Sequence, residues 1–177
     1  MSKPDSMIRG VGLNAHHPRR LRRLGEVWAG HPFPRYFLTL CTADRVQVLA
    51  NDDYHGRLRK FLVASPAHYG WHTLRYVVMP DHVHLLAVTT EQVALGAWIK
   101  ALKFVTAQRR FRWQPGFFDH VLRSGESESE KWSYVLENPV RGGLVTSSAD
   151  WPYAGELRFE EPNPPGRETG PTAMPVL

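Results

Sequence analysis

The feature that most limits the fold of this chain is a pair of alternating segments facing each other across Pro80-Asp81. Over residues 72–79, Leu74, Tyr76 and Val78 alternate with Arg75 and Val77, and a second strand-like run covers residues 82–89. A period of two sends successive side chains to opposite faces, and Pro-Asp breaks the run, so the stretch predicts an antiparallel hairpin. Upstream, Tyr36-Phe37-Leu38-Thr39-Leu40-Cys41 has the aromatic and β-branched bias of a buried strand. Asn51, Asp52 and Asp53 then offer N-caps to a helix with Tyr54, Leu58, Phe61 and Leu62 on its apolar stripe.

Downstream, a second helix is expected over about residues 95–111, with Leu95, Trp98, Ile99, Leu102 and Val105 on one stripe. Trp113-Gln114-Pro115-Gly116 reads as a turn into a short strand over residues 117–122. Ser127 and Glu130 have capping-box spacing for a third helix that is expected to stop at Pro139. The order β-α-β-β-α-β plus a terminal helix predicts an α+β fold of the ferredoxin-like, split βαβ type. Its antiparallel sheet carries helices on one face and leaves the other open for function.

The chain has 177 residues, enough for one domain with extensions. Its apolar runs are far shorter than the roughly 18 residues that cross a bilayer, and no continuous apolar signal segment opens it, which predicts a cytoplasmic protein with no membrane partner. One cysteine, Cys41, excludes an internal disulfide and a cysteine-rich zinc site and is expected to be a small buried strand residue. The net charge of +5 is concentrated: residues 1–35 hold seven basic and two acidic side chains, and residues 92–118 hold five basic and none acidic. Two basic surfaces on a neutral body suit a polyanion such as nucleic acid. Residues 1–30 are read as a basic arm, 31–154 as the folded domain and 155–177, rich in Pro, Gly and Glu, as a disordered tail.

His82-Val83-His84 places two imidazoles on one face of a strand, where both reach a single divalent ion. A pair this short also arises by chance in a chain with nine histidines. Tyr134 and Asn138 are one helical turn apart, so a phenol able to act as nucleophile shares a face with an amide able to ligate a metal. Taken alone, Tyr134 reads as a packed helix aromatic and Asn138 as a helix-end residue, while the histidines fit a hydrogen-bonded sheet pair as well as a metal site.

Several linked segments narrow the choice. Tyr76-Val77-Val78-Met79-Pro80-Asp81-His82-Val83-His84-Leu85-Leu86, then Trp113-Gln114-Pro115-Gly116-Phe117-Phe118-Asp119-His120 and Leu122-Arg123-Ser124, then Tyr134-Val135-Leu136-Glu137-Asn138-Pro139-Val140-Arg141-Gly142-Gly143-Leu144-Val145 and Trp151-Pro152 occur in order. Together they resemble the REP-associated tyrosine transposases, within the HUH single-tyrosine superfamily. That resemblance implies a metal-dependent endonuclease and strand-transferase acting on single-stranded DNA near REP-type hairpins. It implies His82, His84 and Asn138 as ligands of Mg2+ or Mn2+, and Tyr134 as the nucleophile that forms a 5′-phosphotyrosine link and frees a 3′-hydroxyl. The last helix would then be the catalytic one. Related families use dimers in which the helix tyrosine serves a partner's metal site, while REP-associated members are described as monomers, so the resemblance favours a monomer, nucleoid-associated when bound to DNA.

Asp81 departs from the asparagine often found before the first histidine, and Glu137 is a rival ligand turned about 100° from Asn138 on a helix. Arg19, Arg20, Arg22 and Arg23, with Lys100, Lys103 and Arg110 of the second helix, are the candidate DNA-phosphate contacts. Trp71, Trp113 and Trp132 are read as packed rather than base-stacking. A catalytically silent hairpin-binding protein of the same fold is the alternative. A hydrolase that uses water as nucleophile is a third reading.

Overall fold

In the computed structural model, which describes residues 33–90, 94–122 and 128–160, five strands pair in the order β4-β1-β3-β2-β5. They are β1 (Arg35–Cys41), β2 (Trp71–Val78), β3 (His82–Thr89), β4 (Phe118–Val121) and β5 (Ala154–Glu156). Every pairing is antiparallel. Helix α1 (Asp52–Tyr69) joins β1 to β2, and α2 (Leu95–Thr106) joins β3 to β4. Inserting β3 between β1 and β2 is the split βαβ arrangement, so the α+β fold is the expected one. The expected arm, with Arg19, Arg20, Arg22 and Arg23, lies outside the described residues, as does Ser127.

Helix α1 starts where expected: the Asn51 side chain accepts a hydrogen bond from Tyr54 N at 3.0 Å. Tyr54, Leu58, Phe61 and Leu62 are buried against Leu38, Leu40, Val83 and Leu85 of the sheet and Trp98, Ile99 and Leu102 of α2. Trp71 stacks on Trp98 at 5.1 Å between ring centroids and an interplanar angle of 7°. The Trp98 indole N–H donates to Ser65 Oγ at 2.9 Å, which satisfies a polar group that burial would otherwise penalise. Trp71 and Trp132 are buried and Trp113 packs against the core, as read from the sequence, and Cys41 is a buried free thiol.

The opposite face is not fully open. Helix α3 (Glu128–Leu136) sets Trp132 and Val135 against Val77, Met79 and Leu86 in a smaller apolar cluster. Leu74 joins that cluster instead of sharing a face with Tyr76 and Val78, because the β2–β3 register slips between Thr73 and Arg75. Such a bulge places one extra residue on a strand and reverses the alternation locally.

Other boundaries moved. Helix α2 ends at Thr106, not near residue 111, since Ala107 is extended and Gln108 turns back to donate to Asp53 Oδ2 at 2.9 Å. Val105 is consequently exposed, while Phe111 fills the core beside Tyr54 and Trp113. Pro139 does not stop the third helix: α3 ends at Leu136, and Asn138–Arg141 forms a further turn, α4, with Pro139 in its first positions. A missing N–H costs nothing there. The expected tail begins with structure, because β5 extends through Gly155 to Glu156 and Leu157 N donates to Leu74 O. A Cβ built on Gly155 would lie 2.6 Å from Tyr76 Oη, so only glycine lets β5 cross that ring.

Candidate active site

Alternation along β3 decides where the histidines go. Val83, Leu85 and Ala87 point into the main core, so His82, His84 and Leu86 take the other face, the one on which α3 lies. His84 sits opposite Thr39 on β1 and opposite Val77 on β2, in the middle of the sheet. The two rings meet edge to face, with His82 Nε2 and His84 Nε2 3.1 Å apart.

The other ring nitrogens are held from outside. Asp81 Oδ1 accepts from His82 Nδ1 at 2.6 Å, and Thr39 Oγ1 lies 2.9 Å from His84 Nδ1. A carboxylate on Nδ1 places the proton there and leaves Nε2 as a lone-pair donor. The second Asp81 oxygen pairs with Arg45 Nε at 2.7 Å, and Arg45 Nη1 donates to Cys41 Sγ at 2.8 Å. Asp44 and Arg45 both have left-handed backbones, φ 55° and 56°, a conformation that non-glycine residues seldom adopt. That turn carries the Arg45 guanidinium back to Asp81. The Pro80-Asp81 corner itself is fixed by Val48 N and Leu49 N, both donating to Pro80 O at 2.8 Å.

Burial, reinforced by the fields of His82, Arg45 and Arg141, pushes the His84 imidazole down to about 3. It is therefore neutral at physiological pH, as a metal ligand must be. Two neighbouring ligands on a six-coordinate cation of magnesium-like size lie about 3 Å apart, which the Nε2 separation matches. No cluster of three or more His, Cys, Asp or Glu able to hold a metal occurs among the described residues. Remaining positions on such an ion would fall to an amide, water or substrate.

Tyr134 stands on α3 between the anchoring Trp132 and the α4 turn and is 66% exposed. The Arg141 guanidinium lies over its ring, 3.7 Å from the centroid, and Arg141 Nη2 donates to Tyr134 O at 2.6 Å and also to Asn138 Oδ1. Glu137, the rival ligand, turns its Oε1 to accept from Ser148 Oγ at 2.8 Å. Tyr134 and Asn138 are thus tied together by Arg141, a residue the sequence reading passed over. Its spacing of seven from Tyr134 and three from Asn138 is a same-face helical signal that was available. Arg45 and Thr39 had no such signal, because their contacts are long-range and, for Arg45, depend on a left-handed turn.

The structure does not bring the basic residues of α2 to this site. Helix α2 packs on the other face of the sheet from the histidines. Lys100 is exposed there, and Arg110, past the end of α2 at Thr106, is exposed in the turn that follows. Lys103 Nζ is spent on Gln114 O, at 2.7 Å, and Gly116 O, pinning the turn that leads into β4. No helix among the described residues is long and apolar enough to cross a membrane.

Comparison with known proteins converges on one group. The family model described as "Transposase IS200 like" matches residues 34–130, more than half of the chain and inclusive of both histidines, but ends before Tyr134. An Escherichia coli K12 protein named REP-associated tyrosine transposase is 25% identical over 123 residues, covering 67% of this chain and 74% of its own length. A Haemophilus influenzae protein whose name places it in the same group is 27% identical over 137 residues, covering 67% of this chain and 77% of its own length. The ISDra2 transposase TnpA of Deinococcus radiodurans is 41% identical over 76 residues, covering 43% of this chain and 54% of its own length. Among solved structures, a REP-associated tyrosine transposase bound to a REP hairpin superposes with a TM-score of 0.57 at 22% identity, over 68% of this chain and 75% of that one. That likeness supports the fold.

Proposed function

The chain belongs to the IS200-like transposase family, and from that premise we propose that it is a metal-dependent endonuclease and strand-transferase for single-stranded DNA, acting beside REP-type hairpins. The observation that carries the reading is the histidine pair, turned Nε2 to Nε2 at 3.1 Å on the sheet face that also receives the helix of Tyr134. His82 and His84 would hold Mg2+ or Mn2+, and Asn138 Oδ1, now on Arg141, is the third ligand in this reading. Bound there, the ion would polarise a phosphodiester and draw charge from its non-bridging oxygens.

The chain's own residues account for the rest. Tyr134 is exposed, so DNA can reach its hydroxyl, and Trp132 and Val135 keep its helix seated on the sheet. In the step proposed, Tyr134 Oη loses its proton to solvent and forms a bond to phosphorus. The bond from phosphorus to the 3′ oxygen breaks, and that oxygen takes up a proton. The products are a 5′-phosphotyrosine and a free 3′-hydroxyl, and attack by a 3′-hydroxyl on the adduct rejoins strands. One phosphodiester is exchanged for another, so no external energy source is consumed.

The names of the relatives support a REP-type hairpin as the DNA partner. Arg19, Arg20, Arg22 and Arg23 are proposed as its phosphate contacts. Lys100, Lys103 and Arg110, on the far layer, could meet DNA only by a path that leaves the sheet face. We take the enzyme to be a cytoplasmic monomer. The test is to mix the protein with single-stranded hairpin oligonucleotides from repeats flanking its own gene, add Mn2+ or Mg2+, and look for a protein–DNA adduct that survives denaturant. A metal-dependent adduct absent from Tyr134→Phe is expected. Binding that is never covalent would instead establish the silent hairpin binder, and cleavage without an adduct would establish water as nucleophile.

A further inference from the structure

Resting on that reading, we infer that Arg141 is the side chain that grips the scissile phosphate and presents it to Tyr134. Its Nη2 is anchored twice, on Tyr134 O at 2.6 Å and on Asn138 Oδ1, while its Cζ lies 3.7 Å from the centre of the Tyr134 ring. These contacts fix the guanidinium plane without using its Nε and Nη1 donors. Arg45, Arg57 and Arg75 each meet a carboxylate, Asp81, Asp53 and Glu156 respectively, whereas Arg141 meets none among the described residues. An exposed guanidinium held rigidly, with an unused edge of N–H groups and an uncompensated charge, is preorganised for an anion with paired oxygens. The nearest chemistry that supplies such an anion is a phosphodiester approaching the tyrosine it covers.

Attack by Tyr134 Oη builds negative charge on the non-bridging oxygens of the phosphoryl group, and a guanidinium aimed at one of them stabilises that charge more than the ground state. An amide oxygen carries two lone pairs, so Asn138 Oδ1 can accept from Arg141 and still face an ion, and the guanidinium stays anchored when phosphate takes its free edge.

The test compares wild type, Arg141→Ala and Arg141→Lys in single-turnover adduct formation with Mn2+. The probe is a hairpin oligonucleotide from the flanking repeats, made once with a normal phosphodiester at the mapped nick and once with a neutral methylphosphonate there. With the phosphodiester, Arg141→Ala is expected to slow the adduct about 100-fold or more, and Arg141→Lys to recover part of the loss. With the methylphosphonate, which is neutral at rest and offers one non-bridging oxygen instead of a charged pair, the gap between wild type and Arg141→Ala is expected to fall below about tenfold. An equal deficit on both probes would assign Arg141 a merely structural hold on Tyr134 and overturn the proposal. No deficit on either probe overturns it as well. Wild type giving no adduct on the phosphodiester would sink the parent reading, which is a separate outcome. Because the decisive quantity is a ratio between two probes on the same protein, partial misfolding of a variant cancels.

Discussion

The two faces of the sheet have been put to opposite uses. On one, α1 and α2 seal a core in which Leu38, Leu40, Leu58, Leu85, Trp71 and Trp98 are all but inaccessible to water. On the other, a few apolar groups around Trp132 hold α3 down, and the rest is given to His82, His84, Thr39 and an exposed Tyr134. Burying large side chains on both faces would have raised stability but left nowhere for a charged substrate. Concentrating burial on one face lets the other keep polar groups within reach of solvent, at the cost of a thinner hold on the helix that carries the nucleophile.

That contrast breaks first at Tyr134. Tyr134→Phe is expected to remove the covalent adduct entirely, while hairpin binding, followed by anisotropy, and the melting temperature stay near wild type. A residual adduct would place the nucleophile elsewhere. On the sealed face, Trp98→Ala should cost about 3–5 kcal/mol in denaturant unfolding, because it removes the partner of Trp71 and leaves a cavity. Trp132→Ala should cost less stability, since its cluster is smaller and its indole N–H has no hydrogen-bond partner among the described residues, yet it should depress adduct formation by loosening α3. The reverse order of stabilities would show that the site face carries the fold.

Smaller effects sharpen the same comparison around the histidines. Asp81→Asn removes the charge that faces His82 Nδ1 and the ion pair to Arg45, and should weaken Mn2+ binding about 10–100-fold by calorimetry with little change in melting temperature. Unchanged affinity would reduce Asp81 to a turn residue. Smallest is a pH effect in metal-free protein. His84 is held down to about 3 in the fold, whereas an unfolded chain's imidazole titrates near 6.5. Between those values the unfolded chain binds a proton that the folded one refuses, so stability falls as pH drops from about 6.5 toward 3. His84→Gln should flatten that part of the denaturation-against-pH curve; an unaltered slope would mean that other groups generate it.

Much of this architecture was legible from local pattern. Side-chain alternation at the hairpin, capping at Asn51 and the helical stripes of α1 and α2 are short-range properties of the chain, and they led to the split βαβ sheet and to two imidazoles on one strand face. Long-range packing set what pattern left open. The bulge at Leu74, the early end of α2 and the extra strand after Tyr153 all depend on which neighbour a residue meets across the sheet, not on its sequence context. Proline at residue 139 read locally as a stop, but a stop and a fresh helical start look alike until the chain's direction is known.

The site divides in the same way. His82, His84, Tyr134 and Asn138 are identifiable from spacing and family resemblance, since i,i+2 and i,i+4 relations survive any tertiary arrangement. The chain by itself therefore determined the kinds of group available and which of them share a face. Only the folded molecule decided that Thr39 and Asp81 turn both Nε2 atoms inward, that the α2 lysines lie behind the sheet, and that Arg141 covers the tyrosine. The physical reason is that hydrogen-bond direction and charge proximity depend on distances between segments far apart in the chain, and no local periodicity encodes those distances.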